Sequence, residues 1–168
     1  MPPKDRLLPS LLDRLTDDDP TVATPEADRF TFDLPEYRGA VFRDLEWLLN
    51  TTSAARPEEI EDFELVPGSV LNYGMPPLSG GTAAAVEPRT LERVMREVIL
   101  RFEPRLVPDS LKVRVEVAPG KMSHRALTFR VEGLLWAQPV SEQIYMRTQL
   151  DLETGKVTLS EVTTRERD

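Results

Sequence analysis

The hydrophobic period of the chain changes once, near residue 104. Before that point Leu91, Val94, Val98 and Phe102, with Met95 and Ile99 alongside, recur at the three-and-four spacing of one helical face. Val41, Leu45 and Leu48, with Phe42 and Leu49 beside them, form a second such stripe. These patterns predict helices over about 37–49 and from 88 or 90 to 102. Pro104 has no N–H to donate and its ring pushes Glu103 off helical dihedrals, so the second helix stops there. From Leu111 the period is two: Leu111, Val113, Val115 and Val117 alternate with Lys112, Arg114 and Glu116. Strands are predicted near 110–118, 125–136, 143–153 and 156–163. Leu127, Phe129, Val131 and Leu135 share one face, as do Ile144, Met146, Thr148, Leu150 and Leu152. Asp151 to Val157 is a short connection containing Gly155, which makes the last two strands an antiparallel hairpin. Helices first and a strand meander afterwards predict an α+β fold, a small antiparallel sheet with helices packed on one face.

Residues 1–36 are rich in Pro and acid and read as an arm ahead of a single domain, 37–168. Within the arm, Ser10 can cap a short helix carrying Leu11, Leu12 and Leu15, with Asp13 suited to its positive first turn. So short a helix is unstable alone and must dock, either on this domain or on a partner. Residues 53–88 hold Pro57, Pro67, Pro76, Pro77, Gly80 and Gly81 and read as connection, with a short ordered piece around Phe63 to Leu71.

Composition narrows the class of function. At 168 residues the chain is one ordinary domain, and its net charge of −8 argues against an electrostatic grip on nucleic acid or on an anionic bilayer. A protein partner is expected instead. There is no Cys, hence no disulfide framework and no thiolate metal site. No apolar run is long enough to span a bilayer, and the N-terminus lacks the apolar stretch of a signal peptide, so a soluble cytoplasmic protein is expected.

Few residues suggest chemistry. Glu46 beside Trp47 and Glu103 beside Phe102 could be cast as the two carboxylates of a glycosidase, which stand roughly 5 Å apart in retaining enzymes. With 29 acidic residues such neighbours also arise by chance. His124 is the only histidine and lies in a strand connection without a nucleophile elbow. Ser79-Gly80-Gly81-Thr82 lacks the Lys of a P-loop. No catalytic, cofactor or metal residue is assigned. Glu103 and Arg105, two residues apart at the helix-to-strand corner, either pair with each other or face a partner. An exposed pair contributes under about 1 kcal/mol, whereas breaking a buried one costs roughly 3–5 kcal/mol. Trp47, between the Leu45 and Leu48 positions, packs in the core or anchors a partner helix. Leu134 and Trp136, on the face opposite Leu135, suggest that part of that face is covered.

The corner also carries a resemblance. Phe102-Glu103-Pro104-Arg105-Leu106, preceded in order by Arg43-Asp44-Leu45-Glu46-Trp47-Leu48-Leu49-Asn50-Thr51 and Ser69-Val70-Leu71-Asn72-Tyr73-Gly74-Met75-Pro76, resembles the lysozyme-like, sheath-initiating baseplate-wedge family. That family includes TssE of type VI secretion systems and wedge proteins of contractile phage tails. Ser10-Leu11-Leu12-Asp13-Arg14-Leu15 is similar to the start of the secretion branch. The resemblance implies a small antiparallel sheet with helices on one side and a non-enzymatic assembly role. It further implies binding to the wedge proteins TssF, TssG and TssK and initiation of the TssB–TssC sheath. Glu103, Pro104 and Arg105, with Trp47, Leu11, Leu12 and Leu15, are the expected partner-binding residues. The terminal hairpin, through Thr158 and Ser160, is the expected edge for strand addition. The rival readings are a peptidoglycan-cleaving muramidase and a small regulatory adaptor of the same fold.

Overall fold

Two long helices begin as their sequences dictate. The computed structural model describes residues 7–16, 21, 31–54, 57–60, 62–77, 87–116, 126–137 and 141–162. His124 and Ser79 to Thr82 lie outside them. Helix α1 is Leu11–Leu15, α2 is Leu34–Asn50, α3 is Pro57–Ile60 and α4 is Pro88–Phe102. Asp33 caps α2 by accepting from the Glu36 N–H while Glu36 accepts from the Asp33 N–H, and Pro35 occupies the first turn, where no donor is needed. At α4 a proline again opens the helix, and Glu103 closes it by donating its N–H to the Ile99 carbonyl. Among the breakers of 53–88 the structure adds α3 and a 3-10 turn at Val70–Asn72.

Strands β1 (Lys112–Glu116), β2 (Ala126–Leu135), β3 (Glu142–Asp151) and β4 (Val157–Glu161) form one antiparallel sheet in the order β1-β2-β3-β4. The fold is α+β, as the change of period predicts. Phe129, Val131 and Leu135 of β2 and Ile144, Met146 and Leu150 of β3 are buried, alternating with more exposed neighbours. Against this face pack Val41, Leu45, Leu48 and Leu49 of α2 and Leu91, Met95, Val98 and Ile99 of α4. Helix α4 contacts β1, α2 contacts β4, and the two helices touch each other. Leu7 also joins the core and pairs with Phe32 through two backbone bonds.

Two backbone junctions fix the site. The corner after α4 is stitched to the end of β2: the Trp136 N–H donates to the Arg105 carbonyl (2.8 Å) and the Val107 N–H to that of Leu134 (2.9 Å). Elsewhere Thr52 bridges Met75, with the Met75 N–H donating to the Thr51 carbonyl (2.8 Å). Gly74, at φ 120°, permits that approach, because a Cβ there would lie 2.4 Å from the Thr51 oxygen.

Candidate functional site

The segments that carry the resemblance converge on one cavity of about 240 Å³. It is lined by Leu12, by Asp44, Trp47 and Leu48 of α2, by Tyr73, and by Phe102, Glu103 and Arg105 at the corner. Helical spacing puts Asp44, Trp47 and Leu48 on one side of α2. The Gly74 junction brings in Tyr73, whose ring meets Phe102 edge-on at 5.3 Å.

The Glu103 carboxylate is buried, 3% exposed, and Arg105 holds both its oxygens. Arg105 Nε donates to Oε1 (2.7 Å), Nη2 to Oε2 (2.5 Å) and the Arg105 backbone N–H to Oε1 (3.1 Å). Pro104, following the cap residue Glu103, keeps the helix from continuing and so lets the chain turn back within two residues. The same Nη2 reaches Asp44 Oδ2 of α2 at 2.8 Å. Burial alone would lower the Arg105 pKa, but its hydrogen bonds and charge contacts with Glu103 and Asp44 raise it above the ordinary guanidinium value. The arrangement is a two-carboxylate clamp on one guanidinium.

From Asp44 the charges continue outward. Arg43 donates to Asp44 Oδ1 through Nε (2.9 Å) and Nη2 (2.7 Å), lies over the Trp47 ring at 5.1 Å, and reaches Asp13 Oδ1 of α1 through Nη1 (2.5 Å). Asp13 in turn accepts from Ser10 Oγ (2.6 Å) in a capping box. One chain of polar contacts therefore runs from Ser10 through Asp13, Arg43, Asp44 and Arg105 to Glu103. It fastens α1 by its polar side. The helix has no buried residue, and Leu11 and Leu15 are 71% and 72% exposed.

This attachment is expected to respond to pH. Burial pushes the Asp13 carboxyl up, but hydrogen bonds from Arg43 and Ser10 and the Arg43 charge bring it below the ordinary carboxylate value. A carboxylate with a depressed folded pKa stabilises the attachment fully above its unfolded pKa, about 4, and loses that contribution as pH falls through the folded value. Acidification below about 4 should release α1 ahead of global unfolding, read as a change in Trp47 emission. Asp13→Asn should abolish that step. A Trp47 signal unchanged until the whole domain melts would show that Asp13 does not hold the helix.

Of the remaining expected site residues, Thr158 and Ser160 lie on β4, apart from the cavity that Trp47 helps to line. Trp47 and Trp136 are both half exposed, and Leu134 beside Trp136 is partly buried. In β4 the ladder is phased by the Val162 N–H donating to the Tyr145 carbonyl and the Asp151 N–H to that of Lys156. With Arg147 opposite Ser160 and Gln149 opposite Thr158, alternation directs the N–H groups of Ser160 and Thr158 to β3. The outward groups belong to Val157, Leu159 and Glu161. Those of Val157 are already taken, since the Val157 N–H donates to Asn50 Oδ1 (2.9 Å) and Asn50 Nδ2 to the Val157 carbonyl (2.8 Å). At the opposite edge α4 covers β1: the Val115 N–H donates to Glu92 Oε1, and Arg96 Nε to the Leu111 carbonyl. The more open edge is β4 from Leu159 onward.

Sequence reasoning misses Arg43, Asp44, Asn50 and Glu92, which act through partners distant along the chain. Arg43, Asp44 and Asn50 are visible in the sequence only as members of the block around Trp47. Among the described residues no helix is long and apolar enough to cross a membrane. No curated protein and no solved structure matches the chain. A family model, baseplate wedge protein gp25, matches residues 35–140, from the start of α2 to just beyond β2, including the cavity's α2, Tyr73 and corner residues. The chain therefore belongs to the baseplate wedge protein gp25 family and is a structural component of a baseplate.

Proposed function

We propose that this chain is a TssE-like subunit of a type VI secretion baseplate, a non-enzymatic cytoplasmic part that binds wedge proteins of the TssF, TssG and TssK kind. The observation that carries this reading is the orientation of α1. Its polar side is fastened to α2 while Leu11 and Leu15 point away from the domain, beside a cavity lined by Trp47, Tyr73 and Phe102. A helix held this way offers a ready apolar contact at little ordering cost. The likeness of Ser10 to Leu15 to the secretion branch favours that apparatus over a phage tail. The second contact is with the TssB–TssC sheath, through the open part of β4.

The geometry favours assembly over hydrolysis. A general acid is held in an apolar pocket, free to give its proton. Both oxygens of Glu103 instead accept hydrogen bonds from Arg105, and Glu46 is exposed on α2. The purified chain should leave peptidoglycan intact, and turnover would favour the muramidase reading.

Leu11→Ser combined with Leu15→Ser tests the wedge contact. Both side chains are exposed, so stability should change by under about 0.5 kcal/mol. Affinity for the reconstituted wedge should fall at least about tenfold. Unchanged affinity would remove α1 from the interface. Deleting the arm is a poorer probe, because it also removes Leu7 from the core.

A further inference from the structure

Residues 62–72 form a second apolar surface that neither the cavity nor β4 uses. Successive backbone bonds reach back three residues: Phe63 N–H to the Ile60 carbonyl, Val66 to Phe63, Ser69 to Val66 and Asn72 to Ser69. Bonds at this spacing put residues i and i+3 on the same side. In one row Ile60 and Asn72 are buried and Val66 and Ser69 partly buried, with Phe63 the exposed exception, and in the next Leu65, Gly68 and Leu71 are exposed. The segment is thus anchored along one side and presents the others to solvent. Phe63, Leu65, Val70 and Leu71 are 59%, 83%, 86% and 73% exposed. A single exposed leucine is ordinary; four large apolar side chains within nine residues of a hydrogen-bonded segment indicate a contact surface.

Charge decides what the surface fits. Between Arg56 and Arg89 the sequence holds Glu58, Glu59, Glu61, Asp62, Glu64 and Glu87 and no Lys, Arg or His. Asp62 and Glu64 are exposed and flank Phe63. A second copy would bring acid against acid, and an anionic bilayer would repel the same run. We infer that residues 62–72 dock a basic amphipathic segment of another protein, its apolar side chains seated among Phe63, Leu65, Val70 and Leu71 and its Lys or Arg residues facing Asp62 and Glu64. This surface is separate from α1 and β4, so it stands or falls independently of the wedge and sheath contacts.

The test uses the full chain and an amphipathic helical peptide of about 14 residues made of Leu and Lys, with a matched Leu and Glu peptide as control. Calorimetry at low and high salt measures binding, and hydrogen exchange locates it. The Leu/Lys peptide should bind, protect amides within 62–73 and weaken as salt rises, whereas the Leu/Glu peptide should not bind. Leu65→Ser with Leu71→Ser should lower affinity at least about tenfold with the melting temperature unchanged. Asp62→Asn with Glu64→Gln should weaken binding and flatten its salt dependence. Equal binding of the Leu/Glu peptide, protection confined to other segments, or undiminished affinity of the leucine variant would each overturn the proposal. A dimer of the wild-type chain, dispersed by Leu65→Ser with Leu71→Ser in sedimentation, would overturn it in favour of a self-interface.

Discussion

Arg105→Ala should lower the melting temperature by roughly 10 °C, the equivalent of about 3–5 kcal/mol in a chain of this size. Glu103 is buried, and no other donor to its carboxylate is seen among the described residues, so removing the guanidinium leaves a desolvated charge without its counter-ion. Asp44 loses its Arg105 contact in the same step. Arg105→Lys should recover only part of the loss, because one ammonium cannot reproduce the fork that meets two Glu103 oxygens and Asp44 together. Stability alone does not separate an internal brace from a partner contact. Glu103→Gln combined with Arg105→Leu removes both charges, and a buried pair replaced on both sides is often neutral. That double variant should melt within a few degrees of wild type and still fail to bind the reconstituted wedge. Full wedge binding by the double variant would mean that Glu103 and Arg105 serve only the fold.

Leu159→Pro should abolish sheath initiation while the isolated domain stays folded. Edge templating requires unpaired N–H and C=O groups for an added strand, and proline removes one donor without disturbing bonds on the other side of the strand. The position matters. Proline at Thr158 or Ser160 would break bonds to β3 and damage the domain itself. Proline at Val157 would remove a bond already made to Asn50. Leu159 also packs partly against the core, so Leu159→Ala is the necessary control and should retain sheath initiation. Normal sheath polymerisation from the proline variant would rule out strand addition at this edge and move the contact to side chains elsewhere.

The sequence by itself determined the elements and their order. The shift from helical to alternating period around Pro104, the stops and caps, and the hairpin across Gly155 all depend on neighbours within a few residues. The structure reproduces them to within a few residues at each end. Ser10 and Asp13 likewise form the capping box of α1, because a cap is a local hydrogen-bond exchange. What only the tertiary structure decided is which of many charged residues act together. Asp44 and Arg105 are 61 residues apart in sequence, Asp13 and Arg43 are 30 apart, and Asn50 and Val157 are 107 apart. In a chain with 29 acidic residues, Asp13 and Asp44 each read locally as solvated surface groups. Packing of α2 against the corner removes water from Asp44, Glu103 and Arg105 and makes their charges interdependent. Ladder parity is non-local for the same reason. Alternation within β4 tells which side chains share a face, but only the register against β3 fixes which N–H groups remain outward. The edge is therefore presented by Leu159 rather than by Thr158 or Ser160.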